Sequence, residues 1–203
     1  INLHGGKNGQ IKANQITNTN GDGIFPQTLN SAGLSVTDLT IEDNYIENVG
    51  DTGIDITSVK DLGPHERITA QRNILINAHF RISYARDIKI LNNTITNGNI
   101  DVDNGQGLPI GILIEGNNII TSRNVGIGFY GAQDARAINN EIVMTAGGAT
   151  QAGIHAVIRG VGLIEGNTIV GPRNYGISFA GWGLGGDAQL TICLLYTSDA
   201  ADE

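Results

Sequence analysis

Short runs of alternating apolar and polar residues recur along the chain. Each is followed by an asparagine and, two positions on, by another apolar residue. Leu39-Thr40-Ile41 leads to Asn44 and Ile46, Ile88-Lys89-Ile90 to Asn93 and Ile95, and Ile112-Leu113-Ile114 to Asn117 and Ile119. Aligned on this asparagine, the copies fall at Asn14, Asn44, Asn73, Asn93, Asn117, Asn140 and Asn167, with steps of 30, 29, 20, 24, 23 and 27 residues. The segment Ile164–Phe179 repeats Ile114–Phe129 at ten of sixteen positions, and Ile41–Ile56 is a looser copy. Alternation with period two over so few residues predicts strands with one buried face, and no window carries the stripe of an amphipathic helix.

Strands this short, each too small to bury its apolar face alone, must stack on their own copies. The fold class that follows is all-β: a right-handed parallel β-helix, or solenoid, of about seven coils, expected to be truncated at both ends. The recurrent asparagine belongs to the bend between two strands, where it tolerates left-handed backbone angles. Its amide, both donor and acceptor, can bond the next copy to make a ladder. On these repeats the chain resembles the pectate-lyase-like superfamily over roughly residues 11–192. That resemblance implies a polysaccharide-related or structural β-helix, since the superfamily includes polyuronate lyases, mannuronan epimerases, polygalacturonases, phage tailspikes and periplasmic accessory proteins.

Composition narrows the partners. The 203 residues include 29 glycines and only 5% aromatics, as thin coils with many bends require, and the formal net charge is −8. An acidic chain of this kind is not a nucleic-acid binder, and no apolar run reaches the length of a membrane span. The chain opens at Ile1 without a signal peptide, inside what already reads as a coil, so an extracellular, cell-surface or periplasmic location stays open. Two segments are expected: a β-helix over 1–192 and a non-native tail over 193–203. The tail, CLLYTSDAADE, reads like a translated sequencing adaptor, and Leu195 stands where the ladder requires asparagine. Without it the only cysteine, Cys193, disappears, and 17 acids face 12 bases.

Candidate chemistry lies where the repeat is interrupted or unusually charged. Gly63-Pro64-His65-Glu66, in the insertion Val59–Glu66, resembles the Asp-Pro-His-Glu motif of mannuronan C5-epimerases, which implies a catalytic role for His65. The leading acid is missing, however, and Asp61 lies two residues early; the alternative is an exposed turn histidine. A cationic cluster follows: His79, Arg81, Arg86 and Lys89. With Phe80, Ile82 and Tyr84 inward, Arg81 and Ser83 point out. Cations of this kind neutralise a uronate carboxylate and stabilise the enolate-like anion left when a C5 proton is removed by a base such as Lys, Arg, His or Tyr. The catalytic candidates are therefore His65, Arg81, Tyr84, Arg86 and Lys89, for lyase or epimerase chemistry ahead of hydrolysis. Pairing of Arg81 with Asp55 one coil away is the structural alternative.

Asp101 and Asp103 share one face of a strand about 7 Å apart, a spacing that suits an inverting hydrolase, a weak calcium site or a solvated edge. Asp55 and His155 are expected in one outward column with Ser178. Arg123 and Arg173 recur at equivalent turns, and Tyr130, Tyr175 and Trp182 offer rings for stacking on sugars. Asp55, His155, Arg123, Arg173 and Tyr175 are the substrate-binding candidates, with an acidic polysaccharide as the expected partner. The competing expectation is a non-catalytic adhesin, phage-fibre segment or accessory scaffold.

Overall fold

The computed structural model describes residues 1–27, 35–145, 152–171, 174–180, 189–193 and 196–198. Within them each repeat closes into a coil with three faces. Strands leading into the asparagine, such as Val36–Glu42, His65–Gln71, Ala85–Leu91 and Ile110–Glu115, stack as the entry face. Strands just after it form the exit face, an eight-stranded sheet running from Gln15–Thr17 to Tyr196–Ser198. The third face consists of Phe25–Gln27, Ile54–Thr57, Phe80–Ser83, Ile100–Asp103, Val125–Gln133, Ala152–Arg159 and Tyr175–Phe179. The nine-residue strand Val125–Gln133 turns a corner: it pairs with Ile100–Asp103 on the third face and, through Gln133, with Ile110 on the entry face. These pairings are parallel, and the seven ladder asparagines bound six turns.

Alternation fills the interior. Ile46, Leu75, Ile95, Ile119, Ile142 and Ile169 stack rung on rung under the exit face, each fully buried and in register with the next. Phe80 and Phe129, the largest buried side chains among the described residues, widen the third-face side of the same core. The only helical element among the described residues is the 3-10 turn Lys60–Leu62. Among the described residues no helix is long and apolar enough to cross a membrane.

The asparagine ladder is continuous. Each side-chain amide donates to the carboxamide oxygen of the next asparagine: Asn44 to Asn73 at 2.9 Å, Asn73 to Asn93 at 3.0 Å, Asn93 to Asn117 at 2.9 Å. The same oxygen also accepts the backbone N–H of the asparagine before it, as Asn93 Oδ1 does from Asn73 at 2.9 Å. The second amide hydrogen reaches a carbonyl one coil back, Asn93 Nδ2 to Ala70 at 3.1 Å. Every side-chain polar atom of the buried asparagines thus has a partner. One sequence expectation is corrected: the left-handed residue is the one before the ladder asparagine. Ala13, Asp43, Arg72, Asn92 and Asn139 have φ between 53° and 57°. That position faces solvent and carries no ladder bond; Asp43 and Arg72 pair there across adjacent coils, Arg72 Nε donating to Asp43 Oδ1 at 2.8 Å.

The last two described strands are seated on the stack. Gln189–Cys193 pairs with Val161–Glu165, and Tyr196–Ser198 with Thr168–Val170. Leu195, Asp199, Asp202 and Glu203, on which the expectation of a foreign tail partly rests, lie outside the described residues, as does Trp182.

Candidate functional site

The third face turns two columns of side chains outward. Parallel in-register pairing brings Asp55, Arg81, Asp101, Gly128, His155 and Ser178 into one column, a coil apart each, or about 4.8 Å. Thr57, Ser83, Asp103, Tyr130 and Val157 form the second. The columns converge at Gly128. A Cβ there would lie 2.4–2.8 Å from the ring edge and hydroxyl oxygen of Tyr130, because the phenol of Tyr130 lies across the gap that glycine leaves. Its ring meets the His155 imidazole with centroids 5.3 Å apart, tilted at 38°. Asp101, the Tyr130 phenol and His155 therefore follow one another along the helix axis.

Burial sets their charges. Desolvation is the main cause of a raised pKa at Asp101, one of whose carboxylate oxygens, Oδ1, has no hydrogen-bond partner. Asp55, only 7% exposed, is pushed up to about 6 by burial, partly offset by the hydrogen bond it accepts from Thr57 Oγ1. Burial also raises Tyr130 to about 12, helped by the Asp101 charge, and lowers His155, so that its neutral form is favoured. Arg81 donates from Nε to Asp103 Oδ2 at 3.0 Å, and Asp103 Oδ1 accepts the Gly105 N–H at 2.8 Å. Arg123, from the turn before Val125–Gln133, reaches back two coils to within 3.4 Å of His79 Nδ1.

Two depressions occupy this surface. One, of about 320 Å³, is lined by Asn99, Asp101, Arg123, Asn124, Val125 and Tyr130. The other, of about 330 Å³, is lined by Asn124, Val125, Tyr130, Ala152, His155, Tyr175 and Ser178. They share Asn124, Val125 and Tyr130, and so form one groove along the axis from Asn99 to Ser178.

The structure divides the five expected catalytic residues. Only Arg81 lies on the third face, and its partner is Asp103, although Asp55 is its register neighbour. Arg86 and Lys89 belong to the entry face, opposite Glu66 and Thr69, because the chain turns at Tyr84. Tyr84 is itself a correction: with φ 46° it leaves the inward row and lays its half-buried ring against Gly107. Ser83 keeps its expected outward place in the second column but is covered there: it is fully buried and accepts the Gln106 N–H at 3.2 Å. His65 is neither an exposed turn residue nor open to substrate. It is fully buried, with Nδ1 accepting the Val36 N–H at 3.0 Å and Nε2 2.9 Å from the Pro26 carbonyl oxygen, which fixes the neutral tautomer with hydrogen on Nε2.

Among the substrate-binding candidates, Asp55 and His155 share the expected column, while Arg123 and Tyr175 line the groove. Arg173 lies outside the described residues. At the two calcium candidates, Asp103 is engaged through both oxygens, by Arg81 and by the Gly105 N–H, while Asp101 keeps Oδ1 without a hydrogen-bond partner. Among the described residues no three His, Cys, Asp or Glu side chains gather as a ligand set. Sequence reasoning missed the pairing of Gly128 with Tyr130. Its signal was a glycine in the outward column, two residues before a tyrosine in the neighbouring one.

The fold and groove define a parallel β-solenoid with a polar, aromatic-bearing furrow along one face. The chain belongs to the right-handed β-helix family, whose model for the right handed beta helix region matches residues 37–185. No curated protein matches it. That family membership fits a carbohydrate-related or structural β-helix.

Proposed function

We propose that the chain binds an extended polysaccharide along its third face, outside the cytoplasm, where such polymers lie. The observation that carries this reading is the continuous groove from Asn99 to Ser178, with tyrosine rings, amides, a carboxyl group and a guanidinium arrayed along the axis. Successive coils repeat at about 4.8 Å, so a rigid rod presents successive contacts to successive sugars. Arg123 beside Asp101 supplies the cation that a uronate carboxylate in the polymer needs.

A second reading, uronan lyase or epimerase, is favoured by the line of Asp101, Tyr130 and His155. Neutral His155 can accept a C5 proton, the phenol of Tyr130 can return one, and Arg123 can hold the carboxylate as charge moves onto it. Binding without turnover is favoured over catalysis, because Arg81 is spent on Asp103 while Arg86 and Lys89 stand on another face.

Affinity electrophoresis through gels cast with polyuronates, mannans, xylans and glucans tests the binding. Retardation by at least one polymer is expected, weakened several-fold by Arg123→Ala and Asp101→Ala and unchanged by Lys89→Ala. Migration unaffected by every polymer would remove the reading. For the catalytic form, unsaturated or epimerised uronate must appear and must vanish in His155→Ala; turnover that survives in that variant excludes the proposed base.

A further inference from the structure

The two halves of the groove differ in kind. The half bounded by Asn99, Asp101 and Arg123 is charged. The half beyond Tyr130 has no charged side chain among its described lining residues: Tyr130, Tyr175 and Val125 give it apolar surface, while Asn124, His155 and Ser178 give it uncharged donors and acceptors. Tyr175 is 57% exposed and Tyr130 36%, so ring surface is open to a ligand. Aromatic rings with neutral hydrogen-bonding groups beside them match the apolar C–H face and hydroxyl rim of a pyranose. They do not match a carboxylate, which would lose solvation there with no cation among the described lining groups to offset the loss.

We infer that the Tyr130–Tyr175 half is a subsite for an uncharged sugar, set beside a charge-binding subsite at Arg123. The polymer that fits the whole groove therefore carries its charges sparsely, with neutral residues between acidic ones. This rests on the polysaccharide reading above and specifies its substrate class. Occupation of the subsite depends on Gly128, because the Tyr130 ring can lie across the column only where no Cβ blocks it.

Two forms of one polymer test the inference: polygalacturonate and the same chain length highly methyl-esterified, titrated at pH 7 by calorimetry against the full chain, with neutral mannan as a third probe. The esterified form is expected to bind about tenfold more tightly than the fully charged form. Tyr175→Ala should weaken that binding by about five- to tenfold. Gly128→Ala, which displaces only the movable end of the Tyr130 side chain, should do the same without changing the thermal unfolding midpoint. Ser178→Lys adds a cation at the subsite and should reverse the preference toward the charged form. Equal or tighter binding of polygalacturonate, insensitive to Tyr175→Ala, would overturn the neutral subsite and leave polysaccharide binding standing. Absence of binding to all three polymers would overturn the inference, and the polysaccharide reading would fall with it only if xylans and glucans also failed to bind.

Discussion

At the scale of single residues, the outward columns show how little a residue's identity says until its neighbours are known. His65 stood out in the sequence because of the letters around it, yet its buried ring joins the backbone at Val36 to that at Pro26. Asp55 and His155 were legible as outward residues because strand alternation alone decides it. Tyr84 was not, since a left-handed φ at a corner breaks the alternation and nothing in its side chain announces that. The His65 environment makes a pH prediction. Burial lowers its folded pKa to about 4, below the ordinary 6.5, so between those values the unfolded chain binds the proton more readily. Stability is therefore full above about pH 6.5 and falls as pH drops through 4. Asp55 acts oppositely: its folded value of about 6 exceeds 3.8, so its contribution is full below about pH 4 and is lost as pH rises through 6. His65→Gln keeps an acceptor for Val36 and a donor for Pro26 but cannot titrate. Unfolding free energies from urea titration at pH 7 and pH 5 should differ by roughly 2 kcal/mol less in this variant than in the parent. An unchanged difference would show that His65 is not the group responsible.

At the scale of the element, the bend asparagine was the part of the fold most legible in the sequence, because it is dictated by a requirement that recurs in every coil. A buried amide must satisfy two donors and one acceptor, and only another asparagine at the same place in the next coil does so for the whole column. Asn93→Ala removes the oxygen that accepts both the backbone and side-chain N–H of Asn73, and the donor that serves Ala70. With two donors orphaned in the interior, unfolding free energy should fall by roughly 2–4 kcal/mol, measured by denaturant titration. A loss below about 0.5 kcal/mol would mean that water enters the bend and that the ladder contributes little. What the repeat could not convey was where each coil turns from one face to the next. Arg81 and Lys89 are eight residues apart in sequence, yet the corner at Tyr84 sends them to different faces, so closeness in sequence did not become a cationic site.

At the scale of the whole molecule, strand pairing joins each coil to the coils next to it, so stability accumulates along the stack and is least at its ends. Amide hydrogen exchange should report this as a gradient. Slowest exchange is expected from Ile74–Ile76 to Asn118–Thr121, where exit-face strands are paired on both sides, and faster exchange toward Gln15–Thr17. Uniform protection along the rod would indicate one cooperative unit instead. The same geometry explains why the groove was only partly legible. Its residues come from the turns and strands of coils far apart in sequence, and only the registers of the third face bring Asn99 and Ser178 to two ends of one furrow. The fifty-residue offset between Ile114 and Ile164 has a further consequence for how such a molecule can change its size. It spans two whole coils, so copying that unit in the gene returns the chain to the same phase, with an asparagine ready for an asparagine. Each such copy would lengthen the rod by about 10 Å and add two positions to the furrow without altering an existing bond. Length, and with it the number of sugars held, is thus open to inheritance in whole steps.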